Sequence, residues 1–168
     1  MPILNPSQGA INSRIRLRKA GIEKLAAVMR IMDRSFPSQF GESWNERQCL
    51  SMLSLPGTRL MIAVDEQEQN EPVCGFSMTR TIAGEEELLM IAVDPDYQNA
   101  GVGRVMLDQL ISDAESEQIA AIFLEVRAEN PAQHLYRKLG FEKIGKRSGY
   151  YTGSQNEKFD AITYRKKL

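Results

Sequence analysis

The sequence predicts a layered α/β domain with a mixed central sheet. Two nearly continuous apolar runs, Leu88–Val93 and Ile119–Val126, bracket a helical pattern, which makes a strand, helix, strand crossover with its strands parallel. The first run lacks period-two alternation, so both of its faces should be covered. Shorter strands before and after these runs are joined by turns, which adds antiparallel pairs to the sheet.

In chain order, residues 1–13 with Pro2, Pro6 and Gly9 show no periodicity and read as a tail, and 14–168 read as one domain. Residues 14–19 alternate, with Ile15 and Leu17 on one face, as a first strand. Ile22, Leu25, Val28 or Met29, and Met32 recur at helical spacing over 22–36, and Pro37 stops that helix. After a loop at 37–41, Ser43-x-x-Glu46 has the form of a capping box for a helix running to about Leu55. Phe40 and Trp44 flank its start. They either staple the loop to the core or line the mouth of an acceptor site. Pro56-Gly57 breaks the helix, and strands at 59–64 and 73–80 form a hairpin around the polar stretch 65–71. Glu85-Glu86-Glu87 reads most simply as a solvated strand end, with attraction of a cationic substrate as the second reading.

Pro95 lacks an amide hydrogen, so the key strand ends near Val93. Gly101 and Gly103 then allow close backbone approach at the start of a helix whose first turn offers unpaired N–H groups, a place suited to a phosphate. Val102, Met106, Leu110, Ile111 and Ala114 mark that helix's apolar face, and the polar stretch 113–118 closes it. Asn130-Pro131 resembles an N-cap followed by proline at N1, and Gly140 stands where a C-terminal glycine belongs, giving a short helix over 131–139. Residues 141–151 and 160–166 read as closing strands around the turn 152–158.

Composition narrows the function. A net charge of -1 and a pI of 5.9 give no overall basic field for nucleic acid. Cys49, Cys74 and the lone His134 form no disulfide framework or zinc spacing, so no metal is expected. No run reaches the roughly 20 apolar residues of a membrane span, and the first residues lack a basic-then-apolar signal pattern, so neither membrane nor export is expected and the default address is cytoplasmic.

One acid, Glu125, lies within the second apolar run. Burying it unpaired is costly. Either it pairs with Arg127, two residues on and on the same side of the strand, or it is a general base held in a groove. A dinucleotide fold competes, because Gly101-x-Gly103 is followed by this acid about 20 residues on. Met106 at the third glycine position and the insertion of 94–100 before the first glycine count against it.

The spacing Gln98-x-x-Gly101-x-Gly103 resembles the acyl-CoA signature of the GCN5-related N-acetyltransferases (GNAT). The segment from Asn130 to Phe141, with Leu135-Tyr136 and Gly140-Phe141, resembles a second segment of that family, Gln133 standing where the family has an alanine three residues past the asparagine. Together with residues 91–95, 124–127 and Tyr150-Tyr151, the chain is similar over roughly 14–166 to the bacterial ribosomal-protein alanine N-acetyltransferases. The resemblance implies a three-layer α-β-α acyltransferase fold with acetyl-CoA as donor and coenzyme A as product. It implies that Glu125 is the proton acceptor and Tyr136 the proton donor. It further implies coenzyme contacts at Ile91, Ala92, Val93, Asn99, Ala100, Gly101, Val102, Gly103, Arg104 and Asn130. By the same resemblance the loop with Phe40 and Trp44 and the hairpin with Tyr150 form the acceptor walls. The loop before Trp44 is longer than in similar relatives, with Gln39-Phe40-Gly41-Glu42 extra, which leaves the acceptor open: a protein N-terminus, a ribosomal-protein alanine above all, or a small-molecule amine such as a polyamine or aminoglycoside. A non-catalytic acyl-CoA sensor would keep the glycines but have no need of Glu125 and Tyr136 together.

The residue types suit the reaction. An α-amine of pKa ~8 costs only ~1.4 kcal/mol to deprotonate at pH 7, against roughly 4.6 for a lysine. A phenol can protonate a leaving thiolate, and a backbone N–H at Val93 would polarise the acetyl carbonyl if the strand splays there. No nucleophilic cysteine is needed, and neither Cys74 nor His134 is given a catalytic role.

Overall fold

The computed structural model describes residues 13–168; nearly all of the expected tail, residues 1–12, lies outside the described residues. Among the described residues, seven strands form one mixed sheet in the order β1-β2-β3-β4-β5-β7-β6. Strands β1 (Ile15–Ala20), β2 (Thr58–Asp65), β3 (Val73–Ile82) and β4 (Glu85–Val93) pair antiparallel in succession. Strand β5 (Ala121–Arg127) joins β4 in parallel, as the crossover predicted. The closing strands β6 (Glu142–Thr152) and β7 (Lys158–Lys167) form a hairpin that docks through β7, leaving β6 at the edge.

Helices cover both faces. On one face α1 (Leu25–Ser35) turns Leu25, Val28, Ile31 and Met32 onto Phe76, Met78, Met90 and Ala92, with Cys49 of α2 (Glu46–Leu53) beside them. On the other, Leu107, Leu110 and Ala114 of α3 (Val102–Ser116) and Tyr136 of α4 (Gln133–Lys138) pack on Leu88, Ile122, Leu124 and Tyr164. The result is the expected three layers around a mixed sheet.

Four local expectations are corrected. Ile22, placed on the buried face of α1, is 66% exposed in a 3-10 turn at Ile22–Lys24 that precedes the helix. The capping box of α2 is Asn45 with Gln48, not Ser43 with Glu46: the Gln48 amide donates to Asn45 Oδ1 at 2.9 Å and the Asn45 amide to Gln48 Oε1 at 2.8 Å, and α2 stops at Leu53. An amide pair satisfies the same two free N–H groups as a hydroxyl and a carboxylate. Helix α4 begins at Gln133 rather than Pro131, although Asn130 Oδ1 still accepts from the Ala132 amide at 2.9 Å. Finally, Glu85-Glu86-Glu87 opens β4, with Glu85 and Glu87 exposed as a strand end should be but Glu86 not. Glu86 is fully buried, accepting from Arg59 Nη2 at 2.9 Å and from the Thr81 hydroxyl at 2.5 Å. Parity explains it, since Glu86 shares the inward side of β4 with Leu88.

The missing alternation of Leu88–Val93 has a structural cause. Met78 pairs with Met90 and Thr79 with Leu88, so Leu89 is the extra residue of a β-bulge. The bulge swaps faces: Leu88 packs under α3 and α4, whereas Met90 and Ala92 pack under α1.

Candidate active site

The site begins where β4 and β5 part. Their pairing covers only Glu85–Leu88 against Ala121–Leu124. Beyond the Leu89 bulge, residues 89–93 of β4 and 124–127 of β5 become facing walls of a cleft of about 1080 Å³. The Asp94 amide donates to Cys74 O at 2.8 Å, so Val93 and Gly75 are a non-hydrogen-bonded pair and the Val93 N–H points away from β3, towards the gap. The end of β4 is held firmly. Asp94, buried, accepts from Arg30 and Arg34 of α1 at 2.7 Å each, and the Val93 carbonyl accepts from Ser35 Oγ at 2.9 Å and Gln98 Nε2 at 3.0 Å.

One end of the cleft is built for an anion. Asn99 (φ 61°) and Gly101 (φ 101°) turn the chain sharply into α3, and the first helical hydrogen bond runs from the Val105 amide to Gly101 O. The amides of Val102, Gly103 and Arg104 precede it, and the helix dipole favours negative charge there. A Cβ on Gly103 would lie 3.7 Å from Val93 Cγ2 and 3.8 Å from Leu135 Cδ2, so glycine keeps a slot open between β4 and α4. A phosphate-bearing chain fits this cradle by charge and by shape. Arg104 is paired along the helix with Asp108 at 2.9 Å. Of the coenzyme residues expected from resemblance, Ile91, Ala92, Val93, Asn99, Gly101, Val102, Gly103, Arg104 and Asn130 line the cleft; Ala100 does not.

Glu125, Tyr136, Phe40, Trp44 and Tyr150 line the same cleft. Glu125 does not pair with Arg127. Its carboxylate meets Arg147 Nε at 3.0 Å and accepts from Thr163 Oγ1 at 3.4 Å, both reached across β7 and β6. Tyr150 is half-exposed, stacks edge-on against Tyr151 at 4.9 Å and lies near the Glu125 carboxylate. Burial, then the neighbouring Glu125 carboxylate, raises the Tyr150 phenol. Tyr136 is buried against Phe141 and Tyr164, and burial, followed by the charge of Glu42, holds its phenol well above its ordinary value. Tyr136 is therefore protonated throughout the neutral range. Cys74 is buried and pushed up to about 12 by desolvation, so it supplies no thiolate. His134, given no catalytic role from the sequence, lines the cleft beside Arg137 at 3.1 Å. Among the described residues no group of three or more His, Cys, Asp or Glu can hold a metal ion.

The two expected acceptor walls meet. A Cβ on Gly41 (φ 67°) would fall 2.0 Å from Thr152 O, so the loop at 37–44 packs backbone to backbone on the β6–β7 turn. Phe40 touches Phe159 edge-on at 5.4 Å. Sequence reasoning missed Glu42, Arg127, Arg147 and Tyr151 as parts of the site. Arg127 was legible only as a partner for Glu125. Nothing local marked Arg147, which reaches Glu125 because β7 lies between β5 and β6.

A family model described as the acetyltransferase (GNAT) family matches residues 25–141. The ribosomal protein bS18-alanine N-acetyltransferase of Escherichia coli strain K12 is 42% identical over 95 residues, 56% of this chain and 64% of that protein, so the matched stretch spans just under two-thirds of that relative's length. The protein of the same description from Salmonella typhimurium is 34% identical over 120 residues, 71% of this chain and 77% of its own. The crystal structure of the Escherichia coli ribosomal-protein-S18-alanine N-acetyltransferase superposes with a TM-score of 0.78 at 31% identity, covering 92% of this chain and 94% of that one. With a matching family model over most of its length, a splayed β4–β5 cleft and a glycine turn at the start of α3, the chain belongs to the acetyltransferase (GNAT) family.

Proposed function

We propose that the protein transfers an acetyl group from acetyl-CoA to the N-terminal α-amine of a protein, with a ribosomal-protein N-terminal alanine as the acceptor, and that residues 14–168 act as one catalytic domain in the cytoplasm. The observation that carries this is the gap beyond Leu88 and Leu124, a single cleft lined both by the glycine turn into α3 and by Glu125, Tyr136 and Tyr150. The acceptor assignment is supported by the named activity of the relatives and by the aromatic residues Phe40, Trp44 and Tyr150 along the cleft.

Bound acetyl-CoA supplies an activated acyl carbon. Residues 91–93, Asn99, 101–104 and Asn130 would hold it, with the free amides before Val105 available to its phosphates. The Val93 N–H, free of β3, would polarise the carbonyl oxygen. Glu125 takes the proton of the acceptor ammonium, and Tyr136, still protonated, is the proton source at the sulfur end. The amine attacks directly, with no acyl-enzyme.

The test is acetyl-CoA turnover against peptides with free and blocked N-termini, polyamines and aminoglycosides. Peptides beginning with alanine should turn over, and blocking the α-amine should abolish acetylation even when a lysine is present. Saturable turnover of a polyamine or aminoglycoside, with none on peptides, would replace the acceptor class.

A further inference from the structure

We infer that Arg127 is a positioning residue that locks the acceptor wall of the cleft to its coenzyme wall; the inference rests on the acetyltransferase reading above. A guanidinium whose side chain is 8% exposed demands partners, and beside the exposed Glu129 at 3.7 Å the nearest partners of Arg127 belong to one loop. Its Nε donates to Glu42 Oε2 at 3.2 Å, and its Cζ sits 3.7 Å from the centroid of the Phe40 ring. One side chain thus grips two residues of the 37–44 loop, the carboxylate at its edge and the ring on its face. A lysine offers no planar fork for this, so the grip is specific to arginine.

Glu42 is also nearly buried and accepts from Asn130 Nδ2 at 3.2 Å. Asn130 in turn fixes the turn into α4 through the Ala132 amide. Phe40 also meets Phe159 of β7 edge-on at 5.4 Å, and the Arg127 guanidinium lies 6.0 Å from that second ring. The chain of contacts therefore runs from the acceptor hairpin through the loop to the end of β5 and on to the turn that leads into α4, beside the coenzyme slot. Swinging the loop away would separate Glu42 from both donors and leave the nearly buried Arg127 with only the exposed Glu129 as a counter-charge. A buried pair of this kind adds little net stability, but it strongly penalises any other arrangement of the loop. Its role is to hold one shape, so that the two substrates meet walls already fixed relative to each other.

The experiment uses the full chain and compares wild type with Arg127→Met, which keeps an unbranched apolar stem and loses the guanidinium, and with Glu42→Gln, which keeps shape if the first variant fails to fold. Hydrogen exchange of residues 37–44 should quicken about tenfold or more in Arg127→Met while the amides of β4 and β5 keep their rates. The KM for an N-terminal peptide should rise about tenfold, with kcat and the affinity for coenzyme A nearly unchanged, and Arg127→Met/Glu42→Gln should be no worse than Arg127→Met because one pair is removed in both. Unchanged exchange over 37–44 in a folded variant, or equal losses for peptide and coenzyme A, would overturn the lock. A wild type that acetylates no peptide α-amine would defeat the proposed acceptor instead, and the exchange comparison would still decide the lock.

Discussion

Glu125 and Tyr136 face the cleft under opposite constraints. Glu125 is held by Arg147 and Thr163 and lies near Tyr150, so its carboxylate is oriented by groups on β6 and β7. Tyr136 lies in apolar packing near the charge of Glu42, and both influences disfavour a phenolate. Its raised pKa means that the phenol loses no proton between pH 6 and 9, so Tyr136→Phe should lower kcat about 10²-fold by the same factor across that range. Glu125→Gln should behave differently. Below about pH 8 the acceptor amine is charged and needs a base, and above it the amine deprotonates unaided, so the loss should be greatest at neutral pH and shrink as pH rises. Peptide kinetics between pH 6 and 9 separate the two. Flat profiles at wild-type rates in both variants would make the pair structural.

The turn from β4 into α3 has a conformation that only part of its sequence requires. Gly101 sits at φ 101°, where a side chain is strained, so glycine there is a backbone need. Gly103 has an ordinary backbone, and a Cβ there would make only ordinary contacts at 3.7 Å and 3.8 Å, so the fold itself does not require glycine at this position. Gly103→Val should therefore fold and yet bind coenzyme A about tenfold or more weakly in calorimetry, because branched carbons fill the slot between Val93 and Leu135. Undiminished affinity in a folded variant would remove the cradle. The motif residues were legible because their spacing along one turn is local. The capping box was misread for a related reason: Ser43 with Glu46 and Asn45 with Gln48 are both legal, and only the path of the preceding loop selects between them.

Across the sheet, Arg59 of β2 joins three elements that the sequence separates widely. Its Nη2 meets Glu86 of β4, and its Nη1 meets Glu117 just past α3 at 2.6 Å. Glu86 is fully buried while Arg59 keeps contact with solvent, so the damage is asymmetric. Arg59→Leu strands a buried carboxylate and should cost about 3 kcal/mol or more in urea unfolding, whereas Arg59→Leu/Glu86→Leu should recover much of that. Additive losses would show that the pair is not coupled. No helix of the described residues is long and apolar enough to cross a membrane.

Sequence alone determined the layered class, the parallel crossover, the helix faces of α1 and α3, and the glycine turn, because each is written in residues a few positions apart. It also singled out Glu125 as an acid inside an apolar strand. Tertiary structure decided what that acid meets. The β7 strand enters between β5 and β6, so Arg147 and Thr163 reach Glu125 while Arg127 turns away to Glu42 and Phe40. It also decided that Glu86 is buried and where the cleft opens, since a bulge at Leu89 ends the β4–β5 pairing after Leu88. Periodicity records which way a side chain points from its own strand; which partner waits there depends on the order in which distant strands pair.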